Sequence, residues 1–406
     1  MLIAGEPSGD LLAAELVHAL REEFNRAEAF STSDYQPLAT QLEPVFFGAG
    51  GPSMAAAGVK LAFDMTEHSV IGITGAIKGY PKFRRLFQQL YHLALENEPD
   101  AIICVDFSGF NRRFAHAIKS HVRTRQDWFH DWNPKIIQYV SPQVWASREG
   151  RAYQLARDYD LLLSILPFEK EWYAKRVPRL RVEFVGHPIL DRYQRHTSSP
   201  TLATSSSPVL TLLPGSRPNE LAAHLPVMLE ALATINRSIL NLRGLMILPN
   251  EKLVEKARSF NLPSNLQVLI GGLADALSQS AVAIASSGTV TLECAYFGVP
   301  TVAMYKSSWF NYQFASLIVK VNFLAMPNLL LNEEIFPEFI QQRATAENIA
   351  HAALELLRDE KKRLEVRTRL GGIVRLLGEP GANQRAAHAI IQLLEPKRIS
   401  LQHSKA

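Results

Sequence analysis

Cysteine is scarce in this chain: two in 406 residues, Cys104 and Cys294, each in an apolar setting and far from the other. That excludes a disulfide framework and a cysteine-based zinc site, and it suits a reducing compartment. Long hydrophobic runs are missing as well. No apolar stretch reaches the roughly 18 residues of a membrane-spanning helix. The N-terminus has neither a basic n-region nor a long apolar h-region, so no secretory signal is expected. The first predicted strand begins almost at Met1, which leaves room for a true start upstream. The twelve histidines show no HExxH or clustered ligand spacing, so no metal site is expected, and no cofactor either. Charge of one sign is not in large excess: the net value is +4, with no dense basic patch, which argues against a nucleic-acid partner. A basic surface facing anionic lipid stays open. These absences describe a soluble cytoplasmic protein.

What is present is material for a core. The chain is 47% hydrophobic and 20% charged, and its length predicts two domains. Short apolar runs predict strands at Met1–Ala4, Val45–Phe47, Ala101–Val105, Ile136–Tyr139, Leu161–Ile165 and Val182–Val185. Helical spacing falls between them at Leu11–Phe24, Lys82–Glu96 and Phe114–Val122. This βαβα rhythm predicts a largely parallel sheet covered on both faces. The Ser/Thr/Pro-rich "QRHTSSPTLATSSSPVL" interrupts it and reads as a linker. The rhythm then restarts with strands at Val209–Leu213, Gly244–Leu248, Gln267–Ile270, Val282–Ala285 and Thr301–Met304. Helices are predicted at Leu225–Ile239 and Val290–Tyr296, with a helical tail over Ala346–Leu357 and Ala382–Leu394. The expected layout is a first domain over 1–196, a linker over 197–208, a second domain over 209–380 and a C-terminal helix within 381–406. Two such halves suggest a ligand cleft between them, at the carboxyl ends of strands.

Four segments carry groups suited to chemistry. In "LLPGSRPNE", Gly215 and Ser216 expose backbone N–H groups after a strand, and Arg217 adds a planar cation that fits a diphosphate. The plain alternative is a strand-to-helix turn with a surface arginine. In "IASSGTVTLECAYFGVP", Ser287, Gly288 and Thr289 begin a helix whose N-terminus suits phosphate, while Glu293 suits a ribose diol. The alternative there is a capping motif, with Thr289 or Ser287 as N-cap. In "ICVDFSGFN", Asp106 ends a buried strand, where a carboxylate is costly unless paired or facing a site; it is a general-base candidate, or else a helix cap. In "VIGITGAIKGYPKFRRLFQQL", Ile71, Ile73, Ile77, Phe83 and Phe87 alternate with Arg84 and Arg85. That pattern fits an interfacial segment on anionic lipid, or an ordinary amphipathic helix on the sheet. Asp158-Tyr159-Asp160 has the spacing of a metal-binding DxD but is read as a helix end followed by a strand. Ser8 lies in Gly-x-x-Ser-Gly rather than G-x-S-x-G, and is not read as a nucleophile.

Taken together, "AGEPSGD", "GAGGPSMAAAG", "VIGI", "VDFSGFN", "YVSPQVWA", "LPFEKEWY", "VGHPILD", "LLPGSRPNE", "SSGTVTLE", "MPNLLL" and "GANQRAA" resemble the lipid-A-disaccharide synthase family, in its order and over nearly the whole chain. The resemblance implies an α/β fold of glycosyltransferase-B type: two Rossmann-like doubly wound domains, with a C-terminal helical tail that packs on the first domain or on a partner subunit of a homodimer. It implies an inverting, metal-independent transfer that joins UDP-2,3-diacylglucosamine to 2,3-diacylglucosamine 1-phosphate through a β(1→6) bond and releases UDP. Asp106 then becomes the base. Gly215, Ser216, Arg217, Ser287, Gly288, Thr289, Glu293 and Asn328 become the UDP side, in the second domain. The first domain faces the acceptor and an anionic inner-membrane surface, with Val70–Leu90 at the lipid and the protein peripherally attached.

The opening "IAGEPSGDLLAA" then reads as an acceptor-side wall. Glu6, Ser8, Asp10 and, further on, Asn111 contact the acceptor or the reacting centre, since Glu6 and Asp10 would repel a diphosphate. The chain departs from the family at Gly109, where many members carry a second Asp. It departs again near Thr74-Gly75, where a Glu is usual, and in the long Lys119–Lys135 segment. A UDP-sugar epimerase and a catalytically silent nucleotide- or lipid-binding relative are the competing readings.

Overall fold

Apolar runs flanked by amphipathic helices fold into two parallel sheets. The structure is a computed structural model that describes residues 1–30, 44–66, 73–125, 131–194, 207–307 and 321–394, without the side chains of 27–30 and 73–80. Two units divide the chain: Met1–Asp191 together with the residues from Gly378 onward, and Arg192–Leu377. Residues 197–206 of the expected linker lie outside the described residues.

In the first unit the strands are β1 (Leu2–Ala4), β2 (Phe47–Gly50), β3 (Lys60–Asp64), β4 (Ala101–Val105), β5 (Lys135–Tyr139), β6 (Leu161–Ser164) and β7 (Arg181–Phe184). They pair in parallel in the order β3-β2-β1-β4-β5-β6-β7. Successive residues of a strand point to opposite faces, and both faces are covered, so the central strands are apolar throughout. Ile103 and Val105 of β4 join a core with Leu16 and Leu20 of helix Pro7–Phe30 and Ile390 of helix Ala382–Leu394. Ile102 and Cys104 face the other way, toward Leu90, Phe114 and Ile118.

The C-terminal helix is tied down by polar contacts as well. The Asp191 carboxylate accepts from the backbone N–H groups of Gly381 and Asn383. The Tyr139 hydroxyl donates to Asn383 at 2.9 Å, and Arg385 donates to the Val185 carbonyl at 2.8 Å.

The second unit repeats the plan with β8 (Val209–Leu213), β9 (Arg243–Leu248), β10 (Leu266–Ile270), β11 (Val282–Ser286), β12 (Thr301–Tyr305) and β13 (Glu338–Ile340), ordered β10-β9-β8-β11-β12-β13. Helices Pro218–Ser238 and Ala346–Arg358 pack on it through Leu225, Met228, Leu232, Ile349 and Ala353. As expected, Asp158 ends helix Arg151–Asp158 and Leu161 begins β6. Both cysteines are buried and free.

Candidate active site

In each sheet the strand order reverses direction at one place, between β1 and β4 and between β8 and β11. Crossovers leave to opposite sides there, so the loops at the carboxyl ends part and open a crevice. The loops at those places are Gly5–Gly9 after β1, Asp106–Phe107 after β4, Pro214–Arg217 after β8 and Ser287–Thr289 after β11. Glu6, Ser8, Asp106, Gly215, Ser216, Arg217, Ser287, Gly288 and Thr289 stand in these four loops.

Asp106 is half-buried and holds φ +48°, followed by Phe107 at +42°; the adjacent loop places Val140, a β-branched residue, at +63°. Left-handed backbone at non-glycine residues costs on the order of 1–3 kcal/mol each and persists only where surroundings fix it. Here they do. The Asp106 N–H donates to the Tyr139 carbonyl at 2.9 Å. The Asp106 carbonyl accepts from Asn111 Nδ2 and from Gln138 Nε2, both at 2.9 Å. The other amide oxygens, Asn111 Oδ1 and Gln138 Oε1, are buried without a hydrogen-bond partner.

The opening turn lies against this loop. A Cβ on Gly5 would stand 2.3 Å from the Phe107 ring, so only glycine admits that ring, and one on Gly9 would stand 3.7 Å from Asp106 Cβ. Glu6 is half-buried and Ser8 exposed. Asp10 is buried, and its carboxylate accepts from the N–H groups of Gly51, Ser53 and Met54 at 2.7, 2.8 and 3.1 Å and clamps the start of helix Pro52–Ala56. Asn111 is fully buried and grips the Asp106 backbone.

In the second unit, Gly215 takes φ +120°. The N–H of Ser216 donates to Glu220 Oε2 at 3.2 Å, and Arg217 pairs with Glu220 Oε1 at 3.3 Å. The Glu220 carboxylate thus engages the same donors that suit an anion. Behind the turn, His224 is buried. It accepts from the Lys306 N–H on Nε2 at 3.0 Å, which leaves Nδ1–H to donate to the Pro214 carbonyl at 2.7 Å. Gly288 takes φ +148° and Thr289 is exposed. Thr289 makes no side-chain cap bond, so it caps helix Val290–Tyr296 by backbone alone. Ser287 is half-buried and donates to Glu338 at 3.4 Å.

Glu293 accepts from the Tyr193 hydroxyl at 2.9 Å, and burial raises its pKa. Asn328 is fully buried, and its side chain binds the N–H groups of Ile335 and Phe336 and the Phe336 carbonyl, at 2.8–2.9 Å.

Of the lipid-facing set, Ile71 and the side chains of Ile73 and Ile77 lie outside the described residues. Phe83 and Phe87 are half-buried and pack against the first unit's core, Phe87 edge-on to Phe110 and Phe114 at 5.5 and 5.7 Å, while Arg84 and Arg85 are exposed. In the long Lys119–Lys135 segment, Trp132 donates to the Pro99 carbonyl at 3.1 Å and Lys119 pairs with Asp160 at 2.8 Å.

Glu169 was not picked out from sequence, although it lies in "LPFEKEWY". It is buried after β6, accepts from Trp145 Nε1 at 2.9 Å and leaves Oε2 without a partner. Burial pushes its pKa up to about 8, against smaller opposing effects of Trp145 and Ser141.

Two doubly wound units with loops of this kind define the glycosyltransferase-B class. The Neisseria meningitidis UDP-GlcNAc 2-epimerase bound to UDP-GlcNAc superposes with a TM-score of 0.55 at 11% identity, covering 84% of this chain and 88% of that one. The glycotransferase of kitacinnamycin does so at 0.62 and 18%, covering 97% and 98%. At such identities these likenesses speak for the fold alone.

The family model for lipid-A-disaccharide synthetase matches residues 1–391. The lipid-A-disaccharide synthases of Trichlorobacter lovleyi and Myxococcus xanthus are each 33% identical to this chain, over 97% and 98% of both partners respectively. The chain belongs to the lipid-A-disaccharide synthase family, glycosyltransferases of lipid A biosynthesis.

Proposed function

We propose that the chain condenses UDP-2,3-diacylglucosamine with 2,3-diacylglucosamine 1-phosphate, giving the β(1→6) disaccharide 1-phosphate and UDP. The observation that carries this is Asp106, a carboxylate set at the switch point of the first sheet on a strained backbone gripped by two buried amides. Asp106 takes the proton from the acceptor's 6-hydroxyl as that oxygen attacks the donor's anomeric carbon. The bond from that carbon to the diphosphate breaks on the opposite side, so the configuration inverts and UDP leaves with the electron pair.

Charge collecting on the diphosphate meets Arg217, the Gly215-Ser216 N–H groups and the Ser287–Thr289 turn, and no metal is assigned to the step. Glu293 accepts from the uridine ribose. The first unit carries the acceptor and the second the nucleotide. Acylated substrates bring the protein to an anionic inner-membrane surface, a reading supported by the exposed Arg84 and Arg85.

The test supplies both acylated sugars and measures UDP release together with disaccharide. UDP release without disaccharide, or an epimerised donor, would sink the proposal. Asp106→Asn should keep its fold and its UDP binding but lose turnover; an active variant removes Asp106 as base.

A further inference from the structure

Four arginines gather at the carboxyl end of the first unit's sheet, two of them close in the chain to Asp106, and none has a role above. Arg112 and Arg113 lie near the start of helix Ser108–Arg125, which begins two residues after Asp106. Arg148 and Arg151 lie at the entry to helix Arg151–Asp158, and the Arg151 N–H donates to the Arg148 carbonyl at 2.9 Å. The two helices touch, and Arg112 Nη1 donates to Gln154 Oε1 at 2.7 Å, about one turn beyond Arg151.

Among the described residues no carboxylate pairs with any of the four. The acid in the Arg148–Arg151 turn, Glu149, is taken by Arg176 at 3.3 Å. Asp158, at the far end of its helix, is bound by Arg157 and His116. Neither helix carries an acidic residue in its first turn, where one would balance the positive end of the dipole. Burial and the charges of Arg148, Arg112 and Arg113 all lower the Arg151 pKa, so the cluster is a standing repulsion. A folded protein that keeps four guanidinium groups together without a counter-charge has built a place for an anion.

We propose that Arg112, Arg113, Arg148 and Arg151 hold the phosphomonoester of the acceptor sugar. The inference rests on the condensation reading, in which the donor's diphosphate already has Arg217 and the second unit's turns. The acceptor's phosphate is the anion still unassigned. Its carbon, C1, and C5, which bears the 6-hydroxymethyl, flank the ring oxygen, and the helix that follows Asp106 carries two of the four arginines. Anchoring the ring at its phosphate turns the hydroxyl toward the base. Guanidinium forks match phosphate oxygens in pairs, which a scattered basic surface does not.

The test titrates glucosamine 1-phosphate, and glucosamine alone, into the full chain and into an Arg113→Gln/Arg148→Gln variant, both changes at exposed positions that a thermal melt checks for folding. Glucosamine 1-phosphate should bind the parent and weaken on the order of tenfold or more in the variant, while glucosamine binds neither measurably. With the acylated substrates the variant should raise KM for the acceptor and leave KM for the UDP-sugar unchanged. Equal affinity of both proteins for glucosamine 1-phosphate overturns the inference, as does no binding to the parent. It is also overturned if the variant loses only its binding to phosphatidylglycerol vesicles, because the cluster then serves a lipid surface. If phosphate binding behaves as expected but no disaccharide forms, the arginine site stands and the condensation reading falls.

Discussion

The Asn111 side-chain amide donates to the main-chain carbonyl of Asp106 at 2.9 Å, while Asp106 itself is held at φ +48°. The bond acts on the backbone and so sets where the carboxylate points. Asn111→Leu should therefore lower kcat on the order of tenfold and leave UDP affinity unchanged. The unpaired carbonyl should cost about 1–3 kcal/mol of stability. Steady-state kinetics beside urea unfolding separates the two effects. An unchanged kcat with a raised acceptor KM would mean that Asn111 touches the sugar after all.

Asp10 is a second case of a polar residue working inside the fold. Its carboxylate holds three N–H groups of the Gly51–Met54 turn, and a Cβ on Gly51 would come within 2.9 Å of it. Asp10→Ala should lose about 3 kcal/mol or more, because three donors lose a charged acceptor together. Denaturant midpoints check this. Activity per folded molecule should stay near the parent's; a large loss in fully folded protein would return Asp10 to the reacting centre.

Glu220 engages Ser216 N–H and Arg217, the groups given to the diphosphate. Donor binding must displace it. Glu220→Gln removes the competing charge and should tighten UDP binding by about two- to fivefold, since an exposed pair of this kind contributes roughly 0.5–1 kcal/mol. Arg217→Ala should weaken it far more. Calorimetry with UDP reads both, and weaker binding in Glu220→Gln would show that the carboxylate orients Arg217 for the ligand.

Glu169 makes stability depend on pH. Its pKa rises from the model-compound value of 4.5 to about 8 because burial disfavours the charge. Below pH 4.5 both folded and unfolded chains hold the proton, and this residue favours the fold fully. Between 4.5 and about 8 the unfolded chain releases it while the folded chain keeps it, so stability falls as pH rises. Glu169→Gln should flatten that part of the profile, measured as the urea midpoint from pH 5 to pH 8. An identical slope in the variant would rule the residue out.

Much of this architecture could be read from residues alone, for reasons visible in particular elements. Ala101–Val105 and Val209–Leu213 are nearly continuous apolar runs because both faces of their sheets are covered. Lys60–Asp64 escaped notice because it is an edge strand whose ends carry charge. Helix Glu360–Leu376 escaped because only Leu370 and Ile373 are buried along it. The four loops were legible because glycine and small polar residues after a strand announce a turn. The hydrogen bonds that Asp10, Asn111 and Asn328 make within the fold were not legible. Their partners are backbone groups, and for Asp10 they lie about forty residues away along the chain. The Phe87 contact with Phe114 was hidden for a related reason, since an apolar residue beside arginines looks alike whether it faces lipid or another ring.

The return of helix Ala382–Leu394 to the first unit bears on the order in which the protein is made. Leu12, Leu16 and Leu20 leave the ribosome well before Ile390, which shares their core but follows Leu20 by 370 residues. The second unit, Arg192–Leu377, is contiguous and can close as soon as it emerges. The half begun first is thus completed after the second unit. Through most of translation it presents an open apolar face that a chaperone, or the tail of another copy, could cover.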